Sequence, residues 1–527
     1  MPVHLFNFFL PKNNFMTVEH VHWAEQLAHR IVEEKKEPFV IASGITTSGP
    51  THLGTLCEFL FPGAVYDFLS REHDTRFVFI ADIMDAFDSV PKSMEIHSKE
   101  LSPHLGKPLA HVPDPEGCHS SLGKHFLADV KHAMDEFDSH PEILKATDLY
   151  AQGKFDSYAR FFFKNFERTR DILFVTSLKR EMPEDWSPVM PVCGGCGKIA
   201  TTVVTKFDED GYEYECSRNV GYTKGCGFKG KNKIADHKYK ITWRLDWPSR
   251  QDFLQVSAEG GGVDHFTKGG SWDTAKAVHE QLFGKPGPIG FKFGFILFKG
   301  KKYSKSKGAG MGVSDLLKLV PPELLKYALL RPDIQENIDF NPSSFNLLRL
   351  FEEFSEASLI NVGSKVSRAD RKKAIAFSLS TRKMRWRASF ADVLLYYQLY
   401  RDWDKVGELL KDLEGVKFLK PFAGEWLESG FVPEEYSFEF SPRKPSQNEA
   451  AVLEFAGRLK TEMDAVQVHN LVFEVAKDDG LKPGELFSSL YDALIGKSRG
   501  PKIGRLVVAV GVEKVKRALE KTGGASE

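Results

Sequence analysis

Residues 39–54 read FVIASGITTSGPTHLG. The run FVIASGI (39–45) has the look of a buried parallel strand, and a glycine- and threonine-bearing loop carries it to His52 and Gly54. Next comes TLCEFLFPGAVYDFLSREH, a helix with some turn signals, and then RFVFIADIMD (76–85), a second buried strand ending in carboxylates. Strand, glycine-bearing loop, helix and strand make a βαβ unit, in which ligands bind beyond the carboxyl ends of the strands. A histidine beside Gly54 at such a turn lets backbone approach a phosphate and aims helix N–H groups at it. A helix-capping turn with an exposed histidine has the same composition, so the rest of the chain has to decide.

Outward from this unit, Val21, Trp23, Ala24, Leu27 and Ile31 fall at helical spacing over 18–35. Residues 91–126 are loop-rich and dense in His and Pro, 120–174 read as helical, and 190–232 carry cysteines. The α/β texture resumes at YKITWRLDW and runs to FGFILFKGKKYSKSKG. From about 335 long helical periods such as FADVLLYYQLYRDWDKVGELLKDL and AAVLEFAGRLKTEMDAVQVHNLVFEVAK take over, and strand candidates become scarce. This predicts an α/β, doubly wound parallel-sheet (Rossmann-like) domain over 1–335, with insertions at about 91–130 and 185–235, followed by an all-α domain over 336–527.

The totals set bounds. A chain of 527 residues predicts two or three domains. With 71 basic against 72 acidic residues, a nucleic-acid partner must be met by local basic patches. No uncharged apolar window reaches the length of a membrane span. The opening MPVHLFNFFLPKNNFM lacks the features of a signal peptide, and Met16 is an alternative start. Six cysteines without a secretory signal favour metal or free thiol over disulfides and point to the cytoplasm.

Two further loops carry chemistry. KKYSKSKG (301–308) is a lysine- and serine-bearing loop after an apolar strand, suited to clamping a pyrophosphate, although a solvated turn is the commoner source of such a run. GGGVDHFTKGGSWDT (260–274) places Asp264 and His265 in a glycine-rich loop suited to a ribose or an amine, or to nothing more than a surface. Cys193 and Cys196 form C-x2-C, and Cys216 and Cys226 follow; two thiolate pairs on glycine-bearing turns fit a structural zinc. Asp114, Cys118, His119 and His125 fall within twelve residues and are a possible second metal site, with His97, His104 and His111 in reserve. The segment 365–387 holds nine Lys/Arg against one Asp, with Trp386 interleaved, as RNA phosphates and bases would require of a near-neutral protein.

His52-Leu53-Gly54-Thr55 resembles the "HIGH" signature, with Thr55 in place of the second histidine, and Lys302-Tyr303-Ser304-Lys305-Ser306 resembles "KMSKS". Together with ASGITTSGPTHLG, DIMDAFDSVP, HLGKPLAHVPDPEGCH, WRLDWPSR, GGVDHFTKGGSWDT and LIGKSRGPKIGRL, they make the chain similar, over most of its length, to the class I lysyl-tRNA synthetases. The resemblance implies a catalytic α/β domain and a helical anticodon-binding domain. It also implies activation of L-lysine by ATP with Mg²⁺ to lysyl-adenylate, then transfer to the terminal adenosine of tRNA(Lys). His52, Lys302 and Lys305 would be catalytic, and Gly54, Thr55, Asp264, Ser304 and Ser306 would join them on ATP. Gly44, Thr46, Trp243 and His265 would hold lysine, Trp243 offering its face to the ammonium. Asp82, Asp85 and Asp264 are the carboxylates available to that ammonium, and Phe291 or Phe293 is an aromatic candidate for closing the pocket. The rival readings are the same fold acting on another amino acid, such as glutamate or cysteine, and a non-catalytic RNA-binding module.

Overall fold

The computed structural model describes residues 20–178, 183–298, 300–302, 311–361 and 366–523, with backbone alone at 301 and 302. The run FVIASGI is strand β1 (Phe39–Ile45), and β2 (Thr75–Ala81) lies parallel to it, from Phe39 opposite Thr75 to Ile45 opposite Ala81. A third strand, β3 (Glu142–Lys145), extends the sheet beyond β2. The chain then returns to the other side of β1, where Ala258–Gly262 pairs with it and Ile289–Phe293 closes the edge, all in parallel. The order reverses between β1 and Ala258–Gly262, so their carboxyl ends open a crevice at a topological switch point. The doubly wound reading holds.

Strand alternation sets the layers. Phe39, Ile41, Phe77 and Phe79 pack in one core with helices α1 (Trp23–Glu34) and α2 (Leu53–Leu69). Val40, Ala42, Val78 and Ile80 face the other side, with Leu254 and Val256 just past the helix Trp243–Phe253. Helix α2 is buried almost all round, which is why its sequence lacks a polar stripe. Near the end of β1, a Cβ on Gly44 would stand 2.6 Å from the Ile80 carbonyl oxygen. Only glycine lets the two strands close there.

Three expectations need correction. The stretch 120–174 is not helical throughout: β3 interrupts it, and a four-residue, largely half-exposed edge strand leaves no periodic signal. FGFILFKG is not one strand. It breaks after Phe293, and Ile296–Phe298 joins a separate small sheet between Lys301–Lys302 and Ile338–Phe340. The cause is a crossing chain: a Cβ on Gly294 would lie 2.2 Å from the Glu336 carbonyl oxygen. Finally, the glycines of GGGVDHF form strand rather than loop, since Ala258–Gly262 is in the sheet and Val263–Phe266 is a helical turn. Gly260 is needed because the Phe291 ring lies 2.5 Å from where its Cβ would be.

The cysteine segment folds as an antiparallel three-stranded sheet, Val203–Phe207, Gly211–Glu215 and Lys229–Lys233. It is closed at its base by Val189–Pro191 pairing with Tyr239–Ile241. Past Ile338–Phe340 the described residues form helices. The long helical periods are broken by Arg401 in the left-handed region and by Asp464, which caps Ala465–Asp478 in a box with Gln467. Secondary structure and core change at different places. One apolar core runs from Trp23 through Phe351, Trp386 and Trp426, and a second takes in Leu395 and runs from Phe438 to Leu519. No described helix is long and apolar enough to cross a membrane.

Candidate active site at the switch point

His52 is the N-cap of α2. Its Nδ1 accepts the Thr55 backbone N–H at 3.1 Å, and the Thr55 hydroxyl reaches back to the His52 N–H at 3.4 Å. This capping box explains the departure from the two-histidine signature: Thr55 is buried and spends its hydroxyl on the turn. An Nδ1 that accepts leaves the ring proton on Nε2, so the imidazole carries an N–H donor beside the N-terminus of a 17-residue helix. Gly54 must stay bare because a Cβ there would meet His52 Cε1 at 2.9 Å.

The loop between β1 and His52 is pinned from outside. The Thr47 hydroxyl donates to the Gly123 carbonyl at 2.9 Å, and the Thr51 N–H donates to Asp129 Oδ2 at 2.7 Å. Both acceptors lie on the helix Leu122–Glu136. Sequence reasoning missed Asp129, a carboxylate inside an ordinary amphipathic helix with no motif around it.

Across the crevice, Asp264 is exposed on the turn after Ala258–Gly262, and His265 is half-buried with Nδ1 2.8 Å from the Ser271 hydroxyl. Burial pushes the His265 imidazole below its ordinary pKa. Arg244 fixes this turn by donating to the Gly269 and Gly270 carbonyls at 2.8 and 2.9 Å. Trp243 stacks on Trp247 with centroids 5.2 Å apart, and the His265 ring lies 5.4 Å from Trp247 and 6.0 Å from Trp243. Trp247, not singled out from the sequence, is thus part of the wall. Phe291 and Phe293 are not: both are buried, Phe291 against Gly260 and Phe293 edge-on to Phe61.

Beneath this wall lie buried charges. Asp85 accepts from the Thr46 hydroxyl and pairs with Lys240, and Asp82 accepts from Arg250 at 2.7 Å. Arg250 also lies 3.7 Å from Asp246, with its guanidinium carbon 4.8 Å from the Trp243 ring centre. Burial opposes ionisation of Asp85, yet Lys240 and Thr46 hold its carboxyl below the usual range. Burial pushes Asp246 up to about 6 despite Lys240 and Arg250, and it also raises Glu259. Asp82 and Asp85, two of the three carboxylates considered for a substrate ammonium, therefore already hold cations of the chain itself.

The lysine-rich loop springs from the small sheet, where Lys302 pairs with Leu297; Tyr303, Ser304, Lys305 and Ser306 lie outside the described residues. Its stem is tied to the chain entering the helical half: Phe295 N–H to Asn337 Oδ1 and Gly300 N–H to Asp339 Oδ1, both at 2.9 Å.

The four cysteines converge. Cys193 Sγ lies 3.7 Å from Cys226 Sγ, and Cys196 Sγ lies 3.7 Å from Cys216 Sγ. A tetrahedral zinc with bonds of about 2.3 Å spaces its sulfurs by about 3.8 Å, so the set fits one. Asp114, Cys118, His119 and His125 also converge: Cys118 Sγ is 3.2 Å from Asp114 Oδ2, 3.0 Å from His119 Nδ1 and 3.2 Å from His125 Nδ1. His97, His104 and His111 are not in either group among the described residues. The basic segment departs most from expectation. Trp386 is core, stacked on Phe354 and Phe418, while Arg371, Lys372, Lys373 and Arg385 pair with Glu25, Asp333, Glu353 and Glu323. Arg371, Lys372 and Arg385 thereby bind the helices to the α/β half; Lys365 lies outside the described residues.

A parallel sheet with a capped helix and a polar turn facing across its switch point defines a Rossmann-like protein of the nucleotide-binding class. Residues 21–383 match the family described as tRNA synthetases class I (K), and residues 417–522 match an anticodon binding domain. The chain belongs to this class I synthetase family, ATP-dependent ligases that aminoacylate tRNA. It is similar to the lysine–tRNA ligase of Archaeoglobus fulgidus, 31% identical over 95% of this chain and 99% of the relative. It is also similar to those of Pyrococcus furiosus (31%, over 95% and 100%) and Methanocaldococcus jannaschii (30%, over 94% and 99%).

Because Asp129 holds the Thr51 amide next to His52, Asp129→Ala is expected to slow adenylation by about tenfold, the weight of one hydrogen bond to a charged group. Asp129→Asn, which keeps an acceptor, is expected to recover most of that loss. ATP–pyrophosphate exchange on the two variants measures both, and equal loss in both would show that the contact is not what positions the loop.

Proposed function

We propose that the chain is a lysine–tRNA ligase. A lysine carboxylate oxygen attacks the α-phosphorus of ATP, the bond to pyrophosphate breaks, and lysyl-adenylate forms. Lysine is then transferred to the 3′-terminal adenosine of tRNA(Lys), and AMP leaves. The observation that carries this reading is the facing pair at the switch point: the Gly44–His52 loop on one side, and the turn bearing Asp264 and His265 with Trp243 and Trp247 on the other. The near full-length likeness to lysine–tRNA ligases supports the choice of amino acid.

In this reading His52, through its Nε2–H, and Lys302 and Lys305 stabilise the charge that builds on the α-phosphate during in-line displacement. Gly54 lets the helix N-terminus approach phosphate, Thr55 fixes the His52 ring, and Asp264, Ser304 and Ser306 bind the remainder of ATP. Mg²⁺ accompanies the nucleotide through its phosphates. Gly44 and Thr46 hold the α-groups of lysine, and Trp243 and His265 line its side chain. The helical half from about 336 binds the anticodon of tRNA(Lys), and the enzyme works in the cytoplasm.

Cys193, Cys196, Cys216 and Cys226 hold a structural zinc, closed by four thiolates. Asp114, Cys118, His119 and His125 hold a second one at the start of the helix Leu122–Glu136.

Exchange of labelled pyrophosphate into ATP, run with each amino acid in turn, tests the function; lysine is expected to drive it, and absence of lysine dependence sinks the reading. His52→Ala is expected to reduce exchange by about 10²- to 10³-fold, the range for one lost transition-state donor, with tRNA affinity nearly intact. Metal analysis of the purified chain should find two zinc ions, one lost in Cys216→Ser and the other in His125→Ala. A single zinc that survives His125→Ala would remove the second site.

A further inference from the structure

The buried charges behind the tryptophan wall do not balance. The buried Asp82, Asp246 and Glu259 and the part-exposed Asp85 contribute four carboxylates, and Lys240 and Arg250 contribute two cations. The other donors found for these carboxylates are neutral: the Tyr150 hydroxyl to Asp246 Oδ2 at 2.5 Å, Gln251 to Glu259 at 2.7 Å, and the Thr46 hydroxyl to Asp85. Asp82 Oδ1 and Asp246 Oδ1 are buried with no hydrogen-bond partner. The cluster therefore ends in orphaned oxygens and is short of positive charge, in a region where water screens poorly.

Its position decides what that shortage does. Asp246 shares the helix Trp243–Phe253 with both tryptophans of the wall, Arg250 reaches the Trp243 ring from behind, and Asp85 binds Thr46 at the mouth of β1. Any group lying along Trp243 or beside Thr46 feels the summed field of the cluster.

We propose that this carboxylate excess, centred on Asp246, is a specificity determinant that favours an amino acid bearing a second ammonium on its side chain. The inference rests on the assignment of Trp243, His265 and Thr46 to the amino-acid site. Four carboxylates less two cations leave two charges to match. The α-ammonium common to all amino acids is offset by their α-carboxylate, so only a side-chain ammonium brings net positive charge to that excess. No carboxylate has to leave its partner: Asp82 stays on Arg250, Asp85 stays on Lys240, and the field acts through the wall. The same field disfavours an anionic side chain.

The test uses the full-length protein in lysine-dependent pyrophosphate exchange, with two competitive inhibitors of equal length. S-(2-aminoethyl)cysteine carries the ammonium; S-propylcysteine has a methyl in its place. Asp246→Asn and Glu259→Gln each remove one charge and little volume. Each is expected to reduce the preference for the aminoethyl compound over S-propylcysteine on the order of tenfold, the effect of one partly screened charge at this range. The KM for ATP is expected to stay within about twofold. An unchanged preference in either variant that melts like the parent protein overturns the proposal while leaving the ligase reading intact. Exchange driven by an uncharged amino acid in the parent protein overturns both.

Discussion

Two buried cations hold the mouth of this molecule together. Lys240 enters from the base of the cysteine-bearing insertion and Arg250 from the helix that follows it, and they close on Asp85 and Asp82 just beyond β2. Residues more than 150 positions apart are thereby fixed at the carboxyl end of the sheet. Such pairs contribute less to stability than their contacts suggest, because removing four groups from water costs much of what the attraction returns. Their effect is positional: they set Thr46 through Asp85 and Trp243 through Arg250.

The strands that carry the crevice were legible because each leaves a clear chemical mark. β1 and β2 are continuous apolar runs, and His52 stands where a helix must be capped. Thr55 is the instructive case: read as a defect in a signature, it proves to be the second half of a capping box, a local interaction that the spacing of His52 and Thr55 already contained. What was not legible depends on distant chain. β3 is an edge strand defined only by its neighbour, and Gly294 is a glycine because of Glu336. Phe291 and Phe293 look like pocket aromatics until strand alternation turns them into the core.

The basic segment 365–387 shows how composition misleads. Lys and Arg beside an aromatic residue suggest nucleic acid, but the same residues suit an interface that must be specified without apolar area alone. Arg385 makes a bidentate pair with Glu323 and stacks on Phe418, while Trp386 fills the core beside them. The helical half and the α/β half consequently share one core up to Trp426, and the second core adjoins it through Leu395 and Tyr396 of the helix Phe390–Tyr400.

That continuity bears on the lysine-rich loop. Its stem, Gly294–Lys302, is stitched to 334–340, and the next element is the helix Ser344–Ser358, whose Phe351 stacks on Phe390. The stem of that loop is therefore held by the same chain that begins the helical half. On the other side of the crevice, the Thr47 and Thr51 bonds tie the His52 loop to the helix Leu122–Glu136, whose first turn carries His125. The His52 loop and the stem of the lysine-rich loop thus rest on different supports, the helix Leu122–Glu136 for one and the segment 334–340 for the other.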